Sequence, residues 1–543
     1  MDYLKIGKAT ELTGSERRLY RILEIFPGFL SLATLIVLLA LSYLKPVWVA
    51  YFIIAFDVYW LLLVVFLGIH LLASYVKMKK NIKIDWRRKC EKLTSSPTPL
   101  LPKSSDGEKT GKGEQGRFAP AYLGEQTGAR YDWQEIYHLI ILPFYEEGLE
   151  IIRPTLQALI KDGYPTDKLM VVLAAEKRAG EVAFEKAKIM EQEFSDKFKH
   201  FLVTIHPDNI VGEIKGKGAN QAWAAKQAKK EIIDRYGYDY DKILVSVFDI
   251  DTVIRPGYFF VLTYKFLTAL NPYRASYQPI PVYHNNLWRA PFFARVAASS
   301  NTFWQMMQQI RQEKLATYSS HSMTFKTLID IDFWSTNMVN EDSRIFWHCF
   351  CFYRGDYRVE PLYFPVSMDV VMDETVWQSV KSLYKQQRRW GYGVENIPYL
   401  IFNTIKNWRI IPRWKFINRI LIQLYGFHSW ATNALIIAVI GWMPLILGGN
   451  RFNVTVLSSN LPMVTRTLMT VAMVGLVFSA IISTLLLPKR PVQYGLSKSL
   501  AMILQWLILP LSIIIFGAIP ALEAQTRLML GKYLGFWVTP KTR

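Results

Sequence analysis

Two aspartates, Asp249 and Asp251, stand one residue apart directly after the apolar run 243–247, which reads Ile-Leu-Val-Ser-Val and is typical of a buried strand. Carboxylates at the carboxyl end of such a strand suit Mg²⁺ or Mn²⁺ held against a diphosphate. Hard cations prefer oxygen ligands, and nucleotides bind where strands end. Helix-capping or loop carboxylates explain a lone Asp-x-Asp equally well. The metal hypothesis therefore depends on further motifs.

The chain carries long apolar segments towards both of its ends. It has 543 residues, of which 51% are hydrophobic, and five segments reach the roughly 20 residues that cross a hydrocarbon core. They are residues 22–44, 47–76, 428–447, 468–487 and 500–521. Residues 1–21 are polar and lead into a full-length apolar segment, so we expect no cleaved signal peptide. The sequence predicts an integral membrane protein with several spans, which we expect in the plasma membrane.

The formal net charge of +20 is concentrated next to the apolar segments. Basic residues precede the first segment and follow the second: Arg17, Arg18 and Arg21, then Lys77, Lys79, Lys80, Lys83, Arg87, Arg88 and Lys89. By the positive-inside rule both clusters are cytoplasmic, which places the central block in the cytoplasm and the clusters near anionic membrane lipids. No nucleic-acid recognition motif accompanies the charge, so we expect no nucleic-acid partner.

The number of membrane crossings after the central block determines on which side of the membrane the carboxyl-terminal tail lies. Three spans after a cytoplasmic block leave the tail outside, whereas its basic residues favour the inside. One further crossing, or a re-entrant segment around Pro510 and Pro520, resolves the conflict, and the sequence leaves both alternatives open.

The central block alternates short apolar runs with amphipathic segments, which predicts a parallel α/β sheet. The predicted strands are residues 138–143, 168–175, 201–205 and 242–248, and the predicted helices are 147–161, 180–198 and 219–236. Before this block we expect a basic interfacial helix up to Leu93 and a disordered linker over residues 94–117, which are rich in Ser, Pro, Gly and Lys. The three cysteines, Cys90, Cys349 and Cys351, are too few for a disulfide framework and lack the second ligand pair of a zinc site, so we interpret them as reduced packing thiols.

Four ordered motifs give the aspartate pair its context. Glu341-Asp342 follows about ninety residues after it, and Gln386-Gln-Arg-Arg389-Trp390 stands some forty-five beyond that. Together these motifs resemble the membrane-embedded family 2 glycosyltransferases, the group that includes cellulose and hyaluronan synthases. Upstream, residues 143–147 (Pro-Phe-Tyr-Glu-Glu) are similar to the family's Pro-x-Tyr-Asn-Glu, and residues 217–220 (Lys-Gly-Ala-Asn) to its Lys-x-Gly-Ala-Leu-Asn. The resemblance covers nearly the whole chain except the linker.

The resemblance implies an α/β GT-A (Rossmann-like) cytoplasmic domain inserted between α-helical transmembrane segments, and it assigns a role to each motif. Asp342 is the expected catalytic base, and Asp251 with Asp249 holds the Mg²⁺ or Mn²⁺. The donor-binding set is Tyr145, Glu147, Glu176, Lys217 and Asp249, and the acceptor and diphosphate set is Gln386, Arg389 and Trp390. The fork of an arginine suits phosphate oxygens and a tryptophan face suits a sugar ring. Two alternatives stay open: Glu341-Asp342 caps the following helix, or Trp390 is interface packing.

The chain departs from the family pattern in two places. Its second predicted strand ends in Leu-Ala-Ala-Glu176 where relatives carry an Asp-Asp pair, and Glu146 stands where Asn is usual. We expect Glu176 to take over the carboxylate that contacts the base. The identity of the donor nucleotide is therefore harder to infer than the reaction class.

The motifs and segments together predict six regions: 1–21, a cytoplasmic segment; 22–76, two transmembrane helices; 77–133, a basic interfacial helix and linker; 134–410, the glycosyltransferase domain with interfacial helices towards its end; 411–522, three or four membrane segments; and 523–543, a basic tail. The expected activity is inverting, metal-dependent transfer from a nucleotide-diphosphate sugar to a growing polysaccharide. The alternatives are transfer of one sugar to a lipid acceptor and, more remotely, a transporter or channel with a regulatory nucleotide-binding domain.

Overall fold

The computed structural model describes residues 3–95 and 131–543, and within them eight strands form a single sheet. The strands are β1 (Tyr137–Phe144), β2 (Leu169–Glu176), β3 (His200–His206), β4 (Ile243–Val247), β5 (Val253–Ile254), β6 (Ala275–Val282), β7 (Ser322–Thr324) and β8 (Arg358–Ser367). Their order in the sheet is β3-β2-β1-β4-β7-β6-β8-β5. The α/β domain expected between two groups of membrane-length helices is confirmed.

The helices of the described residues fall before, within and after this sheet. Those before it and within it are α1 (Gly14–Leu44), α2 (Pro46–Ile82), α3 (Trp86–Ser95), α4 (Leu149–Ile160), α5 (Gly180–Phe194), α6 (Lys217–Ala228), α7 (Tyr258–Thr268), α8 (Phe292–Ile310), α9 (Phe325–Asp330), α10 (Glu341–Phe352), α11 (Val376–Gly391) and α12 (Asn396–Lys406). Those after it are α13 (Arg413–Ala438), α14 (Met443–Leu447), α15 (Gly449–Asn453), α16 (Val456–Ala472), α17 (Val474–Leu486), α18 (Leu496–Leu504), α19 (Leu509–Ile513) and α20 (Ile519–Met529).

The first four strands are mutually parallel; β1, β2 and β4 are buried almost throughout, as their continuous apolar sequences require, whereas the edge strand β3 is only partly buried. Successive side chains of β1 point to opposite faces: Ile140 and Leu142 pack with α4 and α7, and Leu139 and Ile141 pack with α6 and α10. The second half of the sheet is mixed, with β7 antiparallel to both β4 and β6. The strand order reverses beside β1 and β4, which opens a crevice at their carboxyl ends.

The region between α2 and the sheet contains the helix that its sequence predicts. In α3, Cys90 is fully buried and its thiol lies 3.5 Å from the Phe260 carbonyl oxygen, while the Trp86 ring packs edge-on against Tyr264. This helix is therefore docked on α7 of the α/β domain. It extends to Ser95, and the remainder of the predicted linker lies outside the described residues. All three cysteines are buried and none forms a disulfide.

Five helical stretches of the described residues are long and apolar enough to cross a membrane. They are Gly14–Leu44, Pro46–Ile82, Arg413–Leu447, Val456–Leu486 and Leu496–Met529. The first four pack together around the start of α2, where Val49 clusters with Leu38 and Ile436, and Ala50 clusters with Leu461. Such an arrangement fits an integral membrane protein.

The fifth stretch stays on the side of the α/β domain. Tyr494, just before α18, stacks on Trp288, and the Phe516 ring stacks on Phe293 of α8 at 5.6 Å. At the other end, the Arg21 guanidinium donates to the Leu528 carbonyl oxygen at 2.9 Å. The tail that follows this stretch lies beside the domain, where Lys541 pairs with Asp251 at 2.7 Å.

Candidate functional site

The crevice at the carboxyl ends of the strands opens into a cavity of about 700 Å³. Tyr145 and Glu147 follow β1, Glu176 ends β2, and the aspartate pair follows β4. Every residue that the sequence singled out lines this one cavity: Tyr145, Glu147, Glu176, Lys217, Asp249, Asp251, Asp342, Gln386, Arg389 and Trp390. Motifs spread over about 245 residues therefore meet in one place.

Lys217 joins the donor-side aspartate to the expected base. Its ammonium lies 2.7 Å from Asp249 Oδ1 and 2.9 Å from Asp342 Oδ2. Burial opposes the charge on Lys217, but the two carboxylates outweigh it and raise its pKa. For the same reason, and again against the effect of burial, Lys217 and Lys541 hold the pKa of Asp249 well below its ordinary value. The three groups form a charged cluster at the centre of the cavity.

Two glycines explain how Lys217 reaches this position at the start of α6. Gly216 has a φ of 155°, and a side chain there would meet the ring of Phe536 at 2.4 Å. A side chain on Gly218 would meet Glu341 Cγ at 3.0 Å. The glycines therefore allow an aromatic ring and a carboxylate-bearing helix to approach from either side of the lysine.

The two aspartates after β4 have different partners. Asp249 accepts a hydrogen bond from the Ser319 hydroxyl at 2.7 Å in addition to its ion pair with Lys217. Asp251 is buried; its Oδ2 accepts from the backbone N–H of Asp369 at 2.9 Å, and its Oδ1 pairs with Lys541 at 2.7 Å. The backbone of Asp369 thus holds one oxygen of Asp251, while the other oxygen contacts the Lys541 ammonium.

Glu341 and Asp342 are the first two residues of α10, where acidic side chains are favoured by the helix dipole. Both residues therefore lie in the first turn, as the capping alternative requires. The N-cap residue is Asn340, however, and no side chain forms a capping hydrogen bond. The Thr317 hydroxyl donates to the Asp342 carbonyl oxygen at 2.6 Å and fixes the turn. Burial, followed by the charge of Asp342, raises the pKa of Glu341 to about 8. A pKa raised this far keeps the Glu341 side chain protonated at neutral pH.

The pKa of Glu341 leads to a prediction about stability. A carboxyl whose pKa is raised on folding stabilises the protein fully below its unfolded value of 4.5, and that stabilisation is lost as the pH rises through about 8. We therefore expect the unfolding temperature in detergent to fall by a few degrees over this interval. Glu341→Gln should flatten the decline, as measured by a thermal unfolding series. An identical pH profile in the variant would contradict the prediction.

The carboxyl-terminal tail reaches this cavity, which the sequence did not predict. Residues 531–543 leave α20 and run back along α11, where the Phe536 ring lies 5.1 Å from the Arg389 guanidinium. At the end of the tail, Lys541 pairs with Asp251, and Arg543 pairs with Asp369 at 3.0 Å. The basic residues of the tail were interpreted only as a topology signal. Their contacts make the tail part of the site.

Asp369 is a second residue that the sequence did not single out. It follows β8, is buried, and lies beside Asp251. Burial and the charge of Asp251 raise its pKa to about 6, and Arg543 partly offsets this rise. No signal in the sequence distinguishes this carboxylate from other loop aspartates, because it becomes notable only when β8 places it against the end of β4.

Helix α11 carries the third motif on its cavity-facing side. The helix begins with a capping box in which Thr375 and Gln378 exchange hydrogen bonds, and its last turn carries Arg388 and Arg389. Arg388 is engaged by Glu523 at 2.7 Å. The Nε of Arg389 is buried and has no hydrogen-bond partner among the described residues. Arg389 lines the cavity, and a guanidinium with unused hydrogen-bonding capacity is suited to an anionic ligand.

The end of the site nearest β2 has aromatic and charged groups. Glu147 accepts from the backbone N–H of Tyr145 at 2.7 Å and so stabilises the loop after β1. Glu176 is buried and paired with Arg178 at 2.5 Å, and the Arg178 guanidinium lies 4.5 Å from the Tyr145 ring. The carboxylate that we expected to contact a nucleobase is thus neutralised by an arginine of the next turn.

The oxygen ligands that line the cavity suit a divalent cation that is also coordinated by substrate phosphates. Among the described residues no group of three or more His, Cys, Asp and Glu side chains is arranged to hold a metal alone. Mg²⁺, however, is commonly bound by one or two carboxylates together with substrate phosphates. Asp251 offers one such carboxylate once Lys541 has moved from it. The residues therefore fit a cation that arrives with a diphosphate.

Comparisons with known proteins give only distant structural likenesses. No protein family and no curated protein matches the sequence. Among solved structures, the chain is similar to a mannosyltransferase, PcManGT, from Pyrobaculum calidifontis in complex with GDP-Man and Mn²⁺, at 13% identity over 76% of this chain and 98% of that one, with a TM-score of 0.36. It is also similar to residues 1–349 of S. aureus TarS, at 11% identity over 64% and 90%, with a TM-score of 0.33. GalNAc-T7 with UDP, GalNAc and Mn²⁺ follows at 8% identity over 57% and 58%, with a TM-score of 0.31. These scores are low, so the functional argument rests on the chain's own residues.

Proposed function

We propose that this protein is a membrane-anchored glycosyltransferase of the GT-A type that transfers a sugar from a nucleotide-diphosphate donor, with inversion, to a growing glycan at the cytoplasmic face. The observation that carries the proposal is the bridge that Lys217 makes between Asp249 and Asp342. It means that a donor-side carboxylate and a candidate base lie within reach of one ammonium group, in the cavity where strands β1 and β4 end. That spacing suits a reaction between a bound donor and an acceptor hydroxyl.

On the donor side, the proposal assigns the diphosphate to the cationic groups around Asp251. A divalent cation supplies Lewis-acid stabilisation of the charge that develops on the leaving diphosphate. Lys217 and Arg389 contribute fixed positive charge to the same region, and Asp249 is oriented for a ribose hydroxyl by Ser319. Partial burial of these groups strengthens their interaction with a phosphate because less water competes than at an open surface.

On the acceptor side, Asp342 is the proposed base. The acceptor oxygen attacks the anomeric carbon, the bond to the diphosphate breaks with its electron pair, and the acceptor proton passes to an Asp342 carboxylate oxygen. In the structure both oxygens of Asp342 accept from the Lys217 ammonium, at 3.0 and 2.9 Å. Donor phosphates compete for that ammonium, so donor binding frees the base. Trp390 offers its face to the acceptor sugar.

A direct experiment tests the proposal. The purified protein in lipid discs is incubated with a panel of nucleotide sugars and Mn²⁺ or Mg²⁺, and the released nucleoside diphosphate is measured. We expect one donor to be consumed and the release to stop in chelator. If no nucleotide sugar in the panel is turned over under any condition, the proposal is wrong.

Extension of a polysaccharide and transfer of one sugar to a lipid differ in their products. The cavity continues past Trp390 towards Trp430 and Asn433 of α13. This space can hold a growing polysaccharide, which favours extension. A labelled donor distinguishes the two, because extension yields a ladder or a polymer and single transfer yields one product. A transporter with a regulatory nucleotide site would consume no donor.

Replacement of the bridging lysine tests the charged cluster. In Lys217→Met, Asp249 and Asp342 face each other without a cation, and breaking a buried ion pair in this way costs about 3–5 kcal/mol. We expect a lower unfolding temperature and at least about tenfold weaker binding of the nucleoside diphosphate, measured by calorimetry. Lys215→Met is the matched control, since Lys215 pairs with Asp208 at the surface and such pairs are worth about 0–1 kcal/mol. Equal effects in the two variants would refute the role of the cluster.

A further inference from the structure

The catalytic cavity extends beyond the charged cluster to the two membrane-length helices α2 and α13. Trp60 and Leu67 of α2 line it on one side, and Tyr425 of α13 lines it on the other. The hydroxyls of Tyr59 and Tyr425 hydrogen-bond to each other, and the two residues are 40% and 43% exposed. The same pair of membrane-length helices therefore lines the cavity and presents partly exposed aromatic residues.

Two cations follow α8 and face this part of the cavity. The guanidinium of Arg311 lies 5.2 Å from the Phe66 ring of α2, and the ammonium of Lys314 lies 5.7 Å from the Tyr425 ring of α13. Arg311 also pairs with Glu313 at 2.7 Å. Lys314 forms no ion pair with any carboxylate of the described residues, although it is partly buried. An unpaired cation in such a position favours an anionic ligand.

The depth of these cations in the membrane follows from α2. Phe66 lies twenty residues after Pro46, the first residue of that helix. At about 1.5 Å per residue this is roughly 30 Å, the thickness of a hydrocarbon core. Counted from Pro46, a hydrocarbon core of this thickness ends at the turn of α2 that Arg311 contacts.

The cations are also close to the proposed base along the chain. Lys314 precedes Thr317 by three residues, so their Cα atoms are at most about 11 Å apart. The Thr317 hydroxyl in turn donates to the carbonyl oxygen of Asp342. A short glycan can span the distance between a phosphate at Lys314 and a hydroxyl at Asp342.

We propose that Arg311 and Lys314 bind the phosphate of a lipid-linked acceptor, whose hydrocarbon tail lies against α2 and α13 and whose glycan reaches Asp342. This inference rests on the proposed function and names its acceptor class: a glycan carried on a lipid phosphate. The apolar and aromatic lining of the two helices matches the hydrocarbon tail of the lipid, and the two neighbouring cations match its phosphate head group. The acceptor then enters from the bilayer and the donor from the aqueous side.

The experiment compares undecaprenyl phosphate with undecaprenol, which has the same chain and no phosphate. Binding of each lipid to the full-length protein in detergent is measured by native mass spectrometry. We expect the wild type to prefer the phosphate by at least about tenfold and the double variant R311Q/K314Q to lose that preference. Lys314→Arg, which keeps the charge, should retain it. Lys79→Gln is the matched control, because Lys79 also lies over a ring, that of Tyr75 at 5.6 Å, at the end of α2.

Two outcomes would overturn the inference. One is an unchanged preference in the double variant or an equal loss in Lys79→Gln, which would mean that general surface charge attracts the lipid. The other is displacement of undecaprenyl phosphate by inorganic phosphate at equal concentration, which would mean that the cations bind free phosphate. Donor turnover is measured in parallel. If the phosphate preference depends on Arg311 and Lys314 while no nucleotide sugar is consumed, the lipid-phosphate site stands and the proposed function fails.

Discussion

Asp342→Asn is expected to abolish sugar transfer while nucleoside diphosphate binding changes by no more than about twofold. An amide has nearly the shape of a carboxylate but cannot take up the acceptor proton, and a positioned base contributes roughly 10²–10⁴-fold to the rate. The side chain lies at the start of α10 and its position is set by the backbone contact with Thr317, so the substitution should leave the helix in place. Transfer is measured by product formation, and donor binding by calorimetry.

Glu341→Gln is the control for this prediction. Glu341 is the neighbouring residue, it is buried, and its raised pKa of about 8 keeps it neutral at pH 7. Glutamine therefore imitates the form already present, and we expect transfer to fall by less than about threefold at pH 7. Unchanged turnover in Asp342→Asn, or an equal loss in both variants, would show that Asp342 is not the base.

The strands and helices of the first half of the domain were predictable because local pattern and tertiary environment agree there. The strand predicted at residues 242–248 is β4 at Ile243–Val247, and the helix predicted at 180–198 is α5 at Gly180–Phe194. Parallel strands buried on both faces must be continuously apolar, so their sequences are distinctive. The helix predicted at 219–236 differs most: α6 begins at Lys217, between Gly216 and Gly218, which weaken the helical signal, and it ends at Ala228, where a π-helical segment, Lys229–Asp234, continues it.

The second half of the sheet could not be predicted in the same way. Strands β5 and β7 have two and three residues, too short to show a period of alternation. Their positions are set by pairing with β8 and with β4, partners that are distant in the sequence. For the same reason Asp369 could not be recognised from the sequence, since it becomes part of the site only through the end of β8.

The tail shows a different limit of sequence interpretation. Positive residues at the end of a membrane protein are explained by topology alone. In the structure, however, Lys541 of the tail forms an ion pair with Asp251. The physical signal was present as charge complementarity between a basic tail and an acidic strand end. Such complementarity does not specify which basic residue meets which carboxylate. Only the path of the chain after α20, along α11 and past Phe536, decides this.

Asp251→Asn is expected to lower transfer by at least about 10²-fold and to remove its response to added Mn²⁺. Of the two aspartates after β4, Asp251 has one oxygen fixed by the Asp369 backbone and the other facing Lys541, a cation that a metal bound to diphosphate can replace. Lewis-acid stabilisation is worth several kcal/mol, and each 1.36 kcal/mol changes the rate tenfold. Activity is measured over a Mn²⁺ titration.

The matched control is Asp373→Asn, which removes a carboxylate from the loop after β8 that bonds Ser382 and does not line the cavity. We expect its Mn²⁺ titration to follow that of the wild type. Lys541→Gln provides a second comparison, because removing the competing ammonium should shift the titration of an otherwise intact site to lower Mn²⁺. The shift is expected because the cation no longer has to displace a charged partner from Asp251. Full activity of Asp251→Asn in chelator would mean that the carboxylate holds the tail and not a metal.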